Sequence, residues 1–311
     1  NFAQTVERQV IQGNPSAGGM STVRFERKGD LLGFVYLAPR SGTAIYSPSD
    51  WLGQVAKVEW LVGGQVIDTQ DANFSQFVAP TVMSQNLTKS ISGYGEAAES
   101  RFYPLRFSFC ENWQSAIPLV ALQYHDVEIR VTWGGSLAGA WECYAHFIYL
   151  DTDERSSLAA APQNMLITQT QKSVASNSTI QELNLNHPVK YLAAADGSNL
   201  AIAADNNKIK LQINGTDVTD FKYTDPHYTA VSEYYHTCAS AAAASGANKK
   251  RFIYPFCFET GKLQPTGSLN FSRVDSARLV SETESHADDI YAVNYNIMRI
   301  ESGMGGLMYS N

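Results

Sequence analysis

The sequence predicts an all-β protein built from two consecutive antiparallel sandwiches. Two observations carry that reading: an internal repeat about 150 residues apart, and period-two alternation of apolar residues wherever a pattern is visible. Helical signals are few. The stretch VEWLVGGQVID (58 to 68) is a strand, a Gly-Gly turn and a second strand, and IKLQINGTDVTD (209 to 220) repeats it with Asn214-Gly215 at the turn. Both read as hairpins closed by a two-residue primed turn, where positive φ favours Gly and Asn. From Gly63 it is 38 residues to Arg101, which opens RFYPLRFSFC, and from Asn214 it is 37 to Arg251, which opens RFIYPFCF. Pro118 stands four residues before Leu122, as Pro265 does before Leu269. Three signals in one order at one spacing define a duplicated β-domain.

Each element follows from local pattern. Val58, Trp60 and Val62, then Ile209, Leu211 and Ile213, then Phe107 and Phe109 alternate as strands with one buried face. In LVALQYHDVEIRV the apolar phase runs Val120, Leu122, Tyr124 and steps by three to Val127, Ile129, Val131, which predicts a β-bulge near His125-Asp126. The second half shows the same step between Phe271 and Val274. The best helical signal is DTDERSSLAAAPQNMLITQ (151 to 169), with an acidic first turn and a closing Pro162. The expected domains are 1–153, a linker at 154–166 with short helical turns, and 167–311. The polar stretches 84–100 and 237–250 lie between hairpin and Arg-Phe strand in each half and read as surface projections. Such strands and long returns fit jelly rolls, although composition and spacing do not separate these from other Greek-key sandwiches.

Composition bounds the function. At 311 residues, each half has enough chain to close its own core. A formal charge of -7 gives no basic footprint for wrapping nucleic acid, and the longest basic run, Lys249-Lys250-Arg251, reads as a solvated loop end. No apolar run approaches the roughly 20 residues of a membrane helix, and nothing resembles a signal peptide. The chain opens at Asn1 without Met, so an N-terminal piece removed or left out is expected. Cys110, Cys143, Cys238 and Cys257 are far apart with no C-x-x-C pair, and read as free thiols of a protein folded in a reducing compartment.

No constellation of catalytic residues emerges. Asp151, Asp153 and Glu154 suit a helix N-terminus, while Glu282, Glu284, Asp288 and Asp289 sit in a polar turn before the last strand. The six histidines lack metal spacing, no G-x-S-x-G elbow occurs, and SGMGGL (302 to 307) lacks the Lys and Ser/Thr of a phosphate loop. Its glycines suit tight backbone packing at the end of the final strand. Catalytic, cofactor-binding and metal residues are therefore expected to be none. Of the sequons at Asn73, Asn86, Asn177, Asn214 and Asn270, Asn86 in the long loop is the candidate glycosylation position. Trp51, Trp60, Trp113, Trp133 and Trp141 leave open a carbohydrate-binding sandwich, although Trp60 and Trp133 fall in phase with core positions.

Several stretches together resemble the double jelly-roll major capsid proteins of nucleocytoplasmic large DNA viruses, the group of phycodnaviruses and iridoviruses. They are RFYPLRFSFCENWQSAIPLVALQYHDVEI, YLDTDER, LNLNHPVKYL, LQING, QPTGSLNFSRVDSARL and IYAVNYNIMRIESGMGGLMYSN, in family order, with NFAQTVERQVIQG and FERKGDLLG matching the first strands. The resemblance implies two eight-stranded jelly rolls in one subunit and a homotrimeric, pseudo-hexagonal capsomer that tiles an icosahedral shell. It also implies neighbouring capsomers and minor capsid proteins as partners, no direct nucleic acid, an internal viral membrane nearby, and assembly in host cytoplasm. It brings no cofactor and no catalytic residue. Against that family pattern the chain is expected to be shorter than the usual member, chiefly in the tower loops, with the family's N-terminal arm not represented in this sequence. A minor capsid or scaffolding protein of the same fold is the neighbouring reading.

Overall fold

The computed structural model describes residues 2–41, 44–45, 51–86, 102–196, 200–238 and 251–310. Two compact units form: Asn1–Ala72, Gly93–Gln169 and Asn296–Asn311 make unit 1, and Asn73–Ser92 with Thr170–Tyr295 make unit 2. The expected halves 1–153 and 167–311 are the sequence repeats, whereas the compact units exchange two segments between them. Residues 73–86, which follow the first hairpin, fold with unit 2, and the chain from Asn296 onward folds with unit 1.

In unit 1 the strands are β1 (Phe2–Gln9), β2 (Ile11–Gln12), β3 (Met20–Arg24), β4 (Leu31–Ser41), β5 (Ala44–Ile45), β6 (Val55–Val62), β7 (Gln65–Asp71), β8 (Tyr103–Pro104), β9 (Ile117–Pro118), β10 (Val127–Trp133) and β11 (Ala140–Leu150). Sheet I runs β1-β11-β4-β5, with β8 and β9 also on β4, and sheet II runs β2-β3-β10-β6-β7. All these pairs are antiparallel and nested: β1 with β11, β3 with β10, β4 with β8 and β9, around the β6–β7 hairpin. One long hairpin rolled into two sheets is a jelly roll.

The second repeat follows the same plan. Its strands are β12 (Gln163–Ser173), β13 (Ile180–Glu182), β14 (Pro188–Ala194), β15 (Lys208–Ile213), β16 (Thr216–Asp217), β17 (Lys222–Tyr223), β18 (Phe252–Pro255), β19 (Leu269–Asn270), β20 (Ala277–Ser281), β21 (Ile290–Glu301) and β22 (Met304–Leu307). Sheet III is β12-β21-β14-β18, and sheet IV is β13-β20-β15-β16. The nesting is again β12 with β21, β13 with β20, and β14 with β18 and β19, around the β15–β16 hairpin.

The hairpin turns are where the sequence put them. Gly63 and Gly64 have φ of 57° and 82°, and Asn214 and Gly215 have 50° and 78°, the two positive values of a type I′ turn. Each turn is tied to the segment that enters the strand paired with the hairpin's first strand, β10 beside β6 and β20 beside β15: Gly63 N donates to Asp126 O at 2.9 Å, and Asn214 N donates to Ser276 O at 2.8 Å. Asn214 Oδ1 also accepts from the amides of Asp275 and Ser276. Gly63 has a second reason to lack a side chain, since a Cβ there would meet His125 Nδ1 at 2.4 Å.

Three local expectations are corrected. The phase step near His125-Asp126 is not a bulge: β9 lies in sheet I and β10 in sheet II, so 119–126 crosses between sheets, through a 3₁₀ turn at Leu119–Ala121. Crossing a sandwich reverses which side faces the core, hence the lost phase, and Tyr124 is 74% exposed. Phe271–Arg273 is the matching 3₁₀ turn between β19 and β20. Second, Phe107 and Phe109 are buried but bracket a helical turn, Ser108–Glu111, where both pack on Trp60. Third, the linker helix is Thr152–Ala160, and the next strand already begins at Gln163. Asp151 caps that helix through Thr152 N, with Asp153 and Glu154 in its first turn, as the acidic run predicts.

Two helical segments escaped the sequence reading. A π-turn Phe74–Val78 runs into an α-turn Ala79–Val82 after the first hairpin, and His227–Val231 runs into Ser232–His236 after the second. The apolar residues Phe74, Phe77, Val78 and Val82 do stand at helical spacing, but the run is short and Pro80 reads as a breaker. Here Pro80 stands at the second position of the α-turn, directly after the π-turn.

Unit 1 packs around Trp51, Trp60, Trp133, Phe107, Phe109 and Phe147, and Met298 and Ile300 of β21 complete that core. Unit 2 packs around Leu192, Ile209, Leu211, Phe252, Leu279 and Ala292. His286 is wholly buried in unit 2, and burial pushes its pKa down to about 4. The unfolded chain therefore takes up this proton first, near pH 6.5, and folding stability falls as pH drops from 6.5 towards 4. The loss amounts to about 3 kcal/mol. In urea unfolding across that range, His286→Leu is expected to flatten the pH dependence by about that amount; an unchanged slope would contradict it.

Candidate assembly surfaces

The positions considered for chemistry serve the fold. Asp289 pairs with Lys172 at 3.4 Å and accepts from Ala175 N, and Glu282 pairs with Lys208 at 3.1 Å. Asp288 has its pKa raised by burial first and by Asp196 next. Ser302 and Gly303 form the β21–β22 turn at φ 53° and 78°, and Gly305 lies where a Cβ would be 2.7 Å from Leu122. Cys110, Cys143 and Cys257 are buried free thiols, Cys143 pushed up to about 12 by burial; Cys238 is partly buried and donates to Ser84 O. Among the described residues no group of His, Cys, Asp and Glu could hold a metal ion, and no helix is long and apolar enough to cross a membrane.

Arg251 corrects an expectation. Lys249 and Lys250 lie outside the described residues, but Arg251 is no solvated loop end: it is partly buried, and its Nε donates to Phe77 O at 3.1 Å. Lys190, which the sequence did not single out, is 4% exposed, with Nζ donating to Thr260 O at 2.8 Å and 5.2 Å above the Tyr295 ring. Burial lowers its pKa to about 8.

Of the five tryptophans, Trp51, Trp60, Trp133 and Trp141 are core residues and Trp113 is 70% exposed. A flat tryptophan platform for sugars is therefore not assembled from them. Asn86 is exposed, while Leu87 and Thr88 of its sequon lie outside the described residues.

The surface that stands out is the outer face of sheet I. Strand pairing puts Tyr36 opposite Tyr144, Tyr144 opposite Arg8 and His146 opposite Val6, so these side chains share one face. Tyr36 and Tyr144 stack at 5.2 Å, Phe102 meets Tyr36 edge-on at 5.7 Å, and Phe34 stacks on His146 at 4.4 Å. His146 Nε2 lies 2.8 Å from Gln4 Oε1, and burial lowers its pKa. At one end Glu142 accepts from Tyr144 and pairs with Arg40 and Arg8, which lowers its pKa, the tyrosine bond being the main cause. Phe34, Phe102 and Val6 remain 41%, 48% and 44% exposed. A sheet face with this much open aromatic surface is an interaction surface rather than solvent cover.

The same outer face in unit 2 is closed. Tyr191, Ala193, Ile253, Tyr291 and Val293 are each no more than 2% exposed. The 74–82 helix lies on it, with Phe74 against Tyr291 at 5.5 Å and Phe77 O held by Arg251.

Two nested sandwiches on one chain, joined by a short helix, define a double jelly-roll protein. The pattern described as "Large eukaryotic DNA virus major capsid protein" matches residues 154–306, and that described as "Major capsid protein N-terminus" matches 1–138. The major capsid protein of Pyramimonas orientalis virus is 33% identical across 100% of this chain and 91% of its own. That of Paramecium bursaria Chlorella virus 1 is 29% identical, over 100% and 92%. The PBCV-1 VP54 structure superposes with a TM-score of 0.79 at 25% identity, over 100% of this chain and 97% of that one. The chain belongs to the major capsid protein family of large eukaryotic DNA viruses, and it is a structural protein of the virion capsid.

Gly33 makes room for the stack on sheet I, because a Cβ there would lie 2.3 Å from His146 Nδ1. Gly33→Ala is expected to swing the ring off Phe34 and to cost about 1–3 kcal/mol. A shift of the His146 ring resonances with reduced unfolding midpoint checks this; an unmoved ring would refute it.

Proposed function

We propose that this protein is the trimeric tile of an icosahedral shell. The supporting observation is the duplication itself: one chain carries two jelly rolls with the same nested strand order, so three chains present six similar corners. A six-cornered block fills a hexagonal lattice point, which a single sandwich would reach only as a hexamer. The role is mechanical and not enzymatic, and the protein has no cofactor. Its partners are other copies of itself, neighbouring capsomers and minor capsid proteins. A formal charge of -7 suits a shell that does not bind genome directly and faces an internal membrane. Assembly takes place in the host cytoplasm. Exposed Asn86 is the position proposed for a glycan.

Light scattering coupled to size exclusion tests the tile. A species near three times 34.2 kDa is expected, and a stable monomer at high concentration would count against it. For Asn86, protein from infected or eukaryotic cells should carry extra mass that Asn86→Gln removes; unmodified mass in such protein would exclude the glycan.

A further inference from the structure

The two helical segments are equivalent in the repeat, yet one is buried and the other is bare. Aligning the five-residue π-turns sets Phe74, Phe77, Val78, Thr81 and Val82 beside His227, Ala230, Val231, Tyr234 and Tyr235. Both sets have the i, i+3, i+4, i+7, i+8 spacing of one helix face. In the first helix every residue from 74 to 82 is buried. In the second, Ala230 is exposed, Val231 is 38% exposed, and Tyr234 and Tyr235 are each 71% exposed, while Tyr228, Thr229, Ser232 and Glu233 face inward. An apolar stripe therefore faces solvent where its counterpart covers a sheet.

The sheets show the complementary asymmetry. Register equates the two outer faces residue by residue: Pro104 pairs with Tyr36 and Tyr36 with Tyr144, as Pro255 pairs with Tyr191 and Tyr191 with Val293. Two residues along, Glu142 opposite Ala38 matches Tyr291 opposite Ala193. Sheet III is covered by the 74–82 helix; sheet I keeps Phe34 and Phe102 open.

We propose that the 227–236 helix of one chain docks on the outer face of sheet I of a second copy. The contact repeats between chains the one that 74–82 makes on sheet III within unit 2. It rests on the tile reading above and supplies the residues that reading leaves unnamed. The equivalence carries the chemistry through. Where Phe74 meets Tyr291, the interchain contact brings His227 to Glu142, a polar pair replacing an aromatic one. Further along the same stripe, Tyr234 and Tyr235 supply the aromatic surface offered to the Tyr36, Tyr144 and Phe102 cluster. The contact is heterologous, helix to face, so each chain gives one and receives one, as a closed ring requires.

Three measurements test it together. Tyr234→Ser/Tyr235→Ser alters only exposed side chains and is expected to leave near-ultraviolet circular dichroism unchanged while the light-scattering mass falls from oligomer to monomer. Phe34→Ser/Phe102→Ser, on the receiving face, is expected to do the same. In a Cys238→Ser background, Tyr234→Cys chains mixed with Phe102→Cys chains should be joined by a short bis-maleimide into a dimer of unlike chains, which keeps the test open if a serine variant misfolds. Retention of wild-type mass by a folded helix variant, or crosslinking absent from an oligomeric mixture, overturns the docking while leaving the tile intact. A wild-type chain that is itself monomeric removes the tile reading and the docking with it.

Discussion

Everything in this protein hangs on a two-residue turn used twice. Gly63-Gly64 and Asn214-Gly215 close the innermost hairpins, and the pairs β4 with β9, β3 with β10 and β1 with β11, like their counterparts in the second repeat, nest outside them. A primed turn matches the right-handed twist of its strands and permits one register only. Because side chains alternate with period two, that register decides which residues beside the turn point inward, until the register shift between Trp60 and Leu61 resets it in the first hairpin. The hydrogen bonds from Gly63 and Asn214 to Asp126 and Ser276 then tie each turn to the approach of β10 and β20, setting the second layer of nesting.

From that frame the cores follow by burial. Trp60 on β6 is fully enclosed, and the chain between β8 and β9 coils into a helical turn so that both Phe107 and Phe109 reach it. Two polar groups inside are held by specific partners: Asn207 Oδ1 accepts from Ser281, Thr283 and Glu284, and Arg106 pairs with Glu111 although both side chains are under 10% exposed. Such contacts specify one arrangement of loops more than they add net stability. The outcome is two sandwiches, one with its outer sheet face closed by the 74–82 helix and one with that face open. A shell protein needs nothing more reactive than that.

Much of this was legible in the residues. Turn chemistry is local, so Asn214-Gly215 announces its own conformation, and the acidic run after Leu150 announces its helix. The crossing at 119–126 was visible as a break in phase but not as a change of sheet, since a bulge and a crossover leave the same three-residue step. The 74–82 and 227–236 helices were missed because a stretch of about ten residues gains its helical stability from the surface it packs on, not from propensity. For the same reason the role of Arg251, a bond to the Phe77 carbonyl far away in sequence, had no local signal.

The chain by itself determined the class, the duplication, the two hairpins and the absence of a catalytic motif, because alternation, turn residues and motif spacing act over a few neighbouring positions. The tertiary structure alone decided which equivalent surfaces are closed and which stay open. Tyr36 and Tyr191 are the same residue type at the same place in the two repeats, yet Tyr191 is 1% exposed and Tyr36 is only half-buried. The residue type does not distinguish them. The difference is the 74–82 helix, which the fold delivers to one sheet and not to the other, and burial belongs to the pair of surfaces that meet.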